Sequence, residues 1–195
     1  MTTTDAGRTR DADATRDTLL RAARRRFAAN GYASTTVRDI AGDAGVNVAL
    51  INRYFTSKEG LFEACLTWAA KDLDRPAGAS LERLLETFLS IVAAPAGADQ
   101  SVQIMLLLRS SADERADEIR RSTLRTFTER IASIAGWTPT GDGGDDLLIR
   151  AQLAMCAGLG IVMLRTSTSV EPMNSATAEE LREPLRDVFS ALLGR

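Results

Sequence analysis

The sequence predicts an all-α fold, and three observations support this expectation. Apolar residues recur at three- and four-residue spacing along most of the chain. No stretch alternates apolar and polar residues over a length that would indicate a β-strand. Residues that cap helices, and glycines or prolines that end them, lie at the boundaries of the periodic segments. With 45% hydrophobic and 26% charged residues, the composition is that of an ordinary globular protein.

Four helices are predicted before the first strong break in the pattern. Thr15 is a candidate N-cap for the first helix, and Asn30-Gly31 ends it. Pro76 and Gly78 then interrupt the periodicity after the fourth helix. The predicted helices are Arg16–Ala29, Val37–Ala44, Val48–Phe55 and Ser57 to about Leu73.

Five further helices are predicted after the break: Ser80–Ala93, Asp99–Ser111, Asp113–Ala135, Asp145–Arg165 and Ala178–Leu193. The break defines the expected domain organisation. Residues 1–14 are polar and are expected to form a disordered tail. Residues 15–75 are expected to form one domain and residues 76–195 another.

The second and third helices have the pattern of a helix-turn-helix. Thr36 followed by Asp39 resembles a capping box, and Thr56 followed by Glu59 matches that pattern fully. Gly45 supplies the positive φ that a sharp turn between two helices requires. Asn47 is a candidate N-cap for the third helix. One apolar seam between the helices is formed by Ile40, Ala44, Val46, Ile51 and Phe55.

The third helix then has an outward face suited to the major groove of DNA. With Ile51 and Phe55 pointing inward, the residues that point outward are Val48, Ala49, Asn52 and Arg53. Asparagine pairs with adenine, arginine pairs with guanine, and small apolar side chains meet a thymine methyl group. Thr36 at the start of the second helix, and Tyr54 and Lys58 on either side of the end of the third, are candidates for phosphate contacts. Arg38 is a candidate for contact with either a base edge or a phosphate. The alternatives are a core role for Tyr54 and an ion pair for Arg53. Asn52 and Lys58 are alternatively ordinary solvated surface residues.

The distribution of charge agrees with a polyanion site in this region. Residues 16–58 hold eight Arg or Lys and three acids, whereas the whole chain has a net charge of −2. Ordinary solvated helix faces are the alternative explanation of this excess.

Other classes of protein receive little support from the sequence. Cys65 and Cys156 are interpreted as buried apolar residues in a reducing compartment. Two isolated cysteines and no histidine do not form a usual zinc site, so no metal or cofactor is expected. The longest apolar run, Leu153–Leu164, is shorter than the about 20 residues that span a bilayer, and the N-terminus lacks the apolar core of a secretory signal. A cytoplasmic protein is therefore expected. Catalytic activity is not expected, because the sequence has no nucleotide loop and no Ser-His or Cys-His pair.

Residues from about Thr15 to Leu66 resemble the tetracycline-repressor-like (TetR-like) bacterial transcription regulators. The resemblance lies in "LLRAARRRFAANGYASTTVRDIA", "AGVNVALINRYF" and "SKEGLF". It implies a three-helix DNA-binding domain followed by a larger helical domain for ligand binding and dimerisation. The residues that fall on DNA-contacting positions of the family are Thr36, Arg38, Asn47, Val48, Ala49, Asn52, Arg53, Tyr54 and Lys58. Asn52 departs from the tyrosine that is common there.

The family layout also assigns roles to the C-terminal half. It implies a homodimer formed through residues 145–165 and 178–193, and small residues in the first of these segments favour a close helix crossing. The candidate residues for a mostly apolar ligand pocket are Phe88, Met105, Leu108, Arg109, Trp137, Gln152, Met155 and Cys156. Ordinary core packing is the alternative for each of them.

The expected function is a ligand-responsive repressor. It would bind a palindromic operator in double-stranded DNA as a homodimer and be released by a small apolar effector. A ligand-independent dimeric DNA-binding protein and an activator are the alternatives.

Overall fold

The computed structural model describes residues 3–67, 80–92, 102, 106–107, 113–140, 144–168 and 170–194. Within these ranges every regular element is an α-helix, which confirms the predicted all-α class. The helices are α1 (Thr3–Asn30), α2 (Val37–Ala44), α3 (Ala49–Phe55), α4 (Lys58–Leu66), α5 (Leu81–Val92), α6 (Glu114–Ile134), α7 (Gly144–Ser167) and α8 (Ala178–Leu193). The bounds of α2 and α8 are those that the sequence predicts.

The predictions of a disordered tail over residues 1–14 and of a helix N-cap at Thr15 are both wrong, because α1 begins at Thr3. The Thr15 hydroxyl donates to the carbonyl oxygen of Asp11, four residues earlier, at 2.8 Å. A threonine whose hydroxyl bonds to the preceding turn sits within a helix and caps no amide at its start. Of the helix predicted over Asp99–Ser111, residues 102, 106 and 107 are described and are helical. The expected boundary at residues 76–78 lies outside the described residues.

The described residues form two compact units. The first includes those within 1–67 and 105–121, and the second includes those within 68–104 and 122–195. In the first unit α1 packs on α2 and α4, and α3 packs on α4. Phe27 of α1 and Phe62 of α4 meet edge to face with ring centroids 5.1 Å apart. Their burial joins α4 to α1.

The second unit has a core formed by α5, α7, α8 and the end of α6, which contributes Ile131 and Ala132. Phe88 of α5 meets Phe189 of α8 edge to face, with ring centroids 5.0 Å apart. The Phe88 ring lies on the backbone of α7 at Gly158, where a Cβ atom would come within 1.8 Å of its Cε1. Arg182 and Arg186 of α8 also form ion pairs with glutamates of α5.

Helix α7 is apolar on nearly all sides. By length and composition Asp145–Ser167 is long enough to cross a membrane, and it is the one such helix among the described residues. This is weak evidence for a membrane span, because a core helix of a soluble protein passes the same test. Within a single chain 22% of the residues in its apolar window are buried, and the others are partly or fully exposed.

The two cysteines differ in their surroundings. Cys65 is fully buried in the first unit, as the sequence predicts. The prediction for Cys156 is wrong, since its side chain is exposed on α7. An apolar helix gives no sequence signal for which of its sides faces the core, and here the core side holds Ala151, Ala154 and Val162.

Candidate nucleic-acid interface

The start of α2 has the predicted capping box. Thr36 accepts a hydrogen bond from the Asp39 amide, and the Asp39 carboxylate accepts from the Thr36 amide at 3.1 Å. The Thr36 hydroxyl also donates to the same carboxylate at 2.6 Å. These hydrogen bonds from Thr36 hold the pKa of Asp39 below its usual value. The predicted phosphate contact at Thr36 therefore lies beside an ionised carboxylate, whereas the neighbouring Arg38 is exposed and cationic.

The turn between α2 and α3 has the geometry that the sequence indicates. Gly45 takes φ 65 and ψ 30, and its amide is directed at the carbonyl oxygens of Ala41 and Gly42. Val46 then donates to the Ala41 carbonyl at 3.0 Å, which closes the end of α2. The predicted N-cap Asn47 lies one residue before the observed N-cap, Val48, because α3 begins at Ala49. Its Oδ1 nevertheless accepts from the Ala49 amide at 2.8 Å.

Helix α3 buries one face and exposes the other. Ile51 is completely buried and Phe55 is nearly so. The exposed side chains are the four that the sequence places on the outward face: Val48, Ala49, Asn52 and Arg53. Val48 is 39% exposed although it is apolar. This face combines small apolar groups, an amide and a guanidinium, which are the groups that read base edges in the major groove.

Aromatic and cationic residues surround the C-terminal end of α3. Tyr54 is half-buried, and the Arg53 guanidinium carbon lies 5.9 Å from the centre of its ring. The Arg16 guanidinium of α1 lies 5.2 Å from the ring centre of Phe55. Helix α3 therefore ends beside two cations held against rings.

The link from α3 to α4 differs from the sequence prediction. The capping box expected at Thr56 and Glu59 is wrong, because Ser57 is the N-cap of α4 and accepts from the Gly60 amide at 3.2 Å. Thr56 instead takes φ 69, which reverses the chain after α3. Glu59 accepts a hydrogen bond from the Tyr32 hydroxyl at 3.1 Å. Both Thr56 and Ser57 are cap-forming residue types, so the local sequence does not decide between them.

Tyr32 and the pair Arg26–Asp43 are the parts of this region that sequence reasoning missed. Tyr32 lies in the turn after α1, and the Lys58 ammonium is 4.2 Å from its ring centre. Arg26 of α1 binds the Asp43 carboxylate near the end of α2 at two points. These contacts join residues 17 to 27 positions apart, and the sequence carries no local signal for them.

The predicted ligand-pocket residues do not share one environment. Phe88, Trp137 and Met155 are partly buried against the core of the second unit. Gln152 and Cys156 are exposed. The other three predicted residues, Met105, Leu108 and Arg109, lie outside the described residues. An open depression at the start of α6 is lined by charged side chains, including Asp113 and Arg121, and by none of the predicted pocket residues.

The described residues contain no group of three or more His, Cys, Asp or Glu side chains able to hold a metal ion. Nothing in their arrangement therefore suggests a metal centre beside α3.

Comparison with known families gives two matches that together span most of the chain. Residues 19–65 match the model of the bacterial regulatory proteins of the tetR family. Residues 81–193 match the model of the tetracyclin repressor-like C-terminal domain.

Two curated relatives are regulators with a helix-turn-helix. The chain is 30% identical over 184 residues to the transcriptional regulator BetI of Agrobacterium fabrum. The aligned region covers 89% of this chain and 86% of BetI. It is 44% identical over 69 residues to the transcriptional dual regulator CecR of Shigella flexneri, which covers 34% of this chain and 30% of CecR.

Solved structures with the same fold include GusR of Salmonella enterica, with a TM-score of 0.63 at 21% identity and coverage of 93% and 96% of the two chains. NalD of Pseudomonas aeruginosa, the secondary repressor of a multidrug efflux pump, gives a TM-score of 0.58 at 21% identity, with coverage of 92% and 97%.

Proposed function

The chain belongs to the TetR family of bacterial regulatory proteins, and from this premise we propose that it is a homodimeric repressor that a small molecule releases from a palindromic operator. Membership of the family makes it a DNA-binding transcription regulator. The operator, the effector and the direction of regulation belong to the proposal. Its place of action is the cytoplasm, where the DNA is.

The exposed face of α3 carries this proposal. Asn52 and Arg53 offer the hydrogen bonds that distinguish adenine and guanine, and Val48 and Ala49 leave room for thymine methyl groups. Because Ile51 and Phe55 are buried beneath this face, α3 has no freedom to turn its polar side away. One complete face of the helix is thus open to a duplex and firmly supported from behind.

Contacts to the phosphate backbone surround this face. Arg38, Tyr54 and Lys58 supply two cations and a hydroxyl, and the other proposed backbone contacts are Thr36 and Asn47, just before α2 and α3. Such contacts set the register of α3 in the groove without reading sequence.

Dimerisation is proposed through α7 and α8. Exposed apolar or small residues recur on α7 at four- and three-residue steps and so form a single stripe: Ile149, Leu153, Cys156, Gly160 and Leu164. Pro184, Val188 and Ala191 form a similar stripe on α8. A stripe of this kind favours association with a second copy, because an exposed apolar surface of this length is costly in water. Gly160 allows two helix backbones to approach closely.

The effector is proposed to be a small, mostly apolar molecule held in the C-terminal unit. Phe88, Trp137 and Met155 offer apolar surface beside its core. A ligand that favours an arrangement with a different spacing of the two α3 helices lowers DNA affinity, and DNA lowers ligand affinity by the same factor. Activation is the second candidate role, since the relative CecR is named a dual regulator.

Selection of bound duplexes from a random pool by the purified full-length protein tests the DNA-binding part of this proposal. We expect enrichment of a two-fold symmetric sequence whose half-sites are centred about 34–36 Å apart or a multiple of that distance. Recovery of sequences without two-fold symmetry would count against a dimer on a palindrome. Recovery of the random pool unchanged would overturn sequence reading by α3.

A further inference from the structure

Lys58 occupies an unfavourable position for a lysine. It is the first residue of α4, where the helix dipole presents partial positive charge. A long cationic side chain also keeps many rotamers unless a neighbouring group restricts it. The structure shows what restricts it here: the ammonium nitrogen lies 4.2 Å from the centre of the Tyr32 ring, within the range of a cation–π contact.

The Tyr32 ring is itself fixed by its surroundings. Its residue is 5% exposed, and its ring stacks on Phe27 with centroids 5.7 Å apart. Phe62 lies against it at 4.9 Å. Gly31, with φ 77, makes the turn that brings Tyr32 back to this cluster. Three rings from α1, the turn and α4 thus form a rigid surface.

The hydroxyl of Tyr32 orders the next residue of α4. It donates to the Glu59 carboxylate at 3.1 Å. Burial, and then the hydrogen bond to Glu59, raises the pKa of Tyr32, so the phenol stays protonated and keeps its role as donor. Two consecutive residues at the start of α4 therefore take their positions from a single side chain.

We propose that Tyr32 is a positioning residue for DNA binding: its ring holds the Lys58 ammonium at the start of α4, ready to meet a phosphate of the operator. This inference rests on the proposed function, in which Lys58 contacts the backbone. Tyr32 itself touches no DNA. A cation held in place before binding loses less conformational entropy when the phosphate arrives, and its contact is correspondingly stronger.

Four proteins test this role: Lys58→Met, Tyr32→Phe, Tyr32→Leu, and Tyr32→Leu combined with Lys58→Met. The probes are a duplex selected by the unaltered protein and a random-sequence duplex, with the affinity measured against KCl concentration. Lys58→Met should weaken both complexes and reduce the slope of log affinity against log salt by about 0.9 per subunit. Tyr32→Phe keeps the ring and should keep the slope. Tyr32→Leu should weaken binding about 2- to 5-fold per subunit, and should add no loss once Lys58 is methionine.

The outcomes distinguish a failure of the positioning role of Tyr32 from a failure of the proposed phosphate contact of Lys58. An unchanged affinity and slope for Lys58→Met would overturn the phosphate contact itself. A loss from Tyr32→Leu that is equally large with and without Lys58 would overturn positioning through Lys58 while leaving the contact intact.

A spectroscopic measurement keeps the test decisive if Tyr32→Leu does not fold. In the DNA-free protein, the ε-methylene protons of Lys58 should resonate upfield of those of Lys71, the chain's other lysine, because they adjoin the ammonium group that lies over the Tyr32 ring. Lys58→Met assigns that signal by its disappearance, and Tyr32→Phe should retain it. Ordinary lysine shifts at this position would show that the ring does not hold the side chain, and would overturn the proposal.

Discussion

Arg26 and Asp43 join α1 to α2 through two parallel hydrogen bonds. The Arg26 Nε atom lies 2.5 Å from Asp43 Oδ2, and its Nη2 atom lies 2.7 Å from Oδ1. Both side chains are about one-third exposed, at 34% and 36%. A bidentate pair fixes direction as well as distance, so it orients α2 on the helix that supports it.

Asp43→Asn should lower the stability of the protein in a pH-dependent way. The hydrogen bond from Arg26 is the main cause that depresses the pKa of Asp43 in the folded state. A depressed carboxyl pKa stabilises the folded protein above the pKa of the unfolded chain, about 3.9, and this contribution is lost as pH falls through the folded value. Urea denaturation measures the free energy of unfolding of the unaltered protein and of Asp43→Asn. The difference between the two free energies should be smaller at about pH 3 than at about pH 7. Asp17→Asn, on an exposed position of α1, is the matched control.

Asn52→Ala should change which bases the protein prefers. The amide of Asn52 is exposed on the open face of α3, and we propose that it pairs with an adenine edge there. Loss of a bidentate base contact costs about 1–3 kcal/mol of discrimination at one position of each half-site. Comparison of the sequences selected by the two proteins measures this change. An unaltered preference would mean that α3 lies in the groove with another face toward the bases.

Local signals explain what the sequence predicted well in this region. A capping box depends on two residues three positions apart, and Thr36 and Asp39 form one as expected. The inward face of α3 follows from the spacing of Ile51 and Phe55 and is buried as expected. In these cases the information lies within one helical turn.

Distant contacts explain what the sequence did not predict. Glu59 fits a capping box with Thr56, but its carboxylate bonds to Tyr32, which lies 27 positions earlier. Ser57 is the N-cap of α4 instead. Likewise, the exposed side of α7 is set by where Phe88 rests on Gly158, and an apolar helix carries no pattern that reveals it.

Gly158→Ala should destabilise the protein although alanine favours helices. In an open helix position this replacement stabilises by about 1 kcal/mol. At Gly158 the added methyl group would come within 1.8 Å of the Phe88 ring, which Phe189 holds from another side. Overpacking of this kind costs about 1–3 kcal/mol. Gly42→Ala is the control, because nothing lies within 4 Å of a Cβ at that helical position. Thermal unfolding should show opposite shifts for the two variants, and a rise for both would contradict the packing of Phe88 on α7.

Only one of the two thiols should react in the folded monomer. Burial raises the pKa of Cys65 to about 12, so it is neither ionised nor accessible. Cys156 is exposed within one chain. A maleimide followed by mass spectrometry should leave Cys65 unmodified until the protein unfolds. It should label Cys156 where the protein is monomeric, whereas the proposed interface should protect Cys156 in the dimer, and Cys156→Ser is the control. Rapid modification of Cys65 under native conditions would contradict the buried core of the first unit.

Leu153→Glu should convert the proposed dimer into monomers. Leu153 is 52% exposed in a single chain and lies in the middle of the apolar stripe of α7. At a two-fold interface one substitution acts twice, so two carboxylates would be buried in an apolar contact without partners. Val170→Glu is the matched control, because Val170 is equally apolar and 53% exposed but lies in the segment after α7. Sedimentation at micromolar concentration should show dimers for the unaltered protein and for the control, and monomers for Leu153→Glu. DNA affinity should fall with the dimer, since a single α3 reads only half of the site. A stable dimer of Leu153→Glu would show that the interface does not include this stripe.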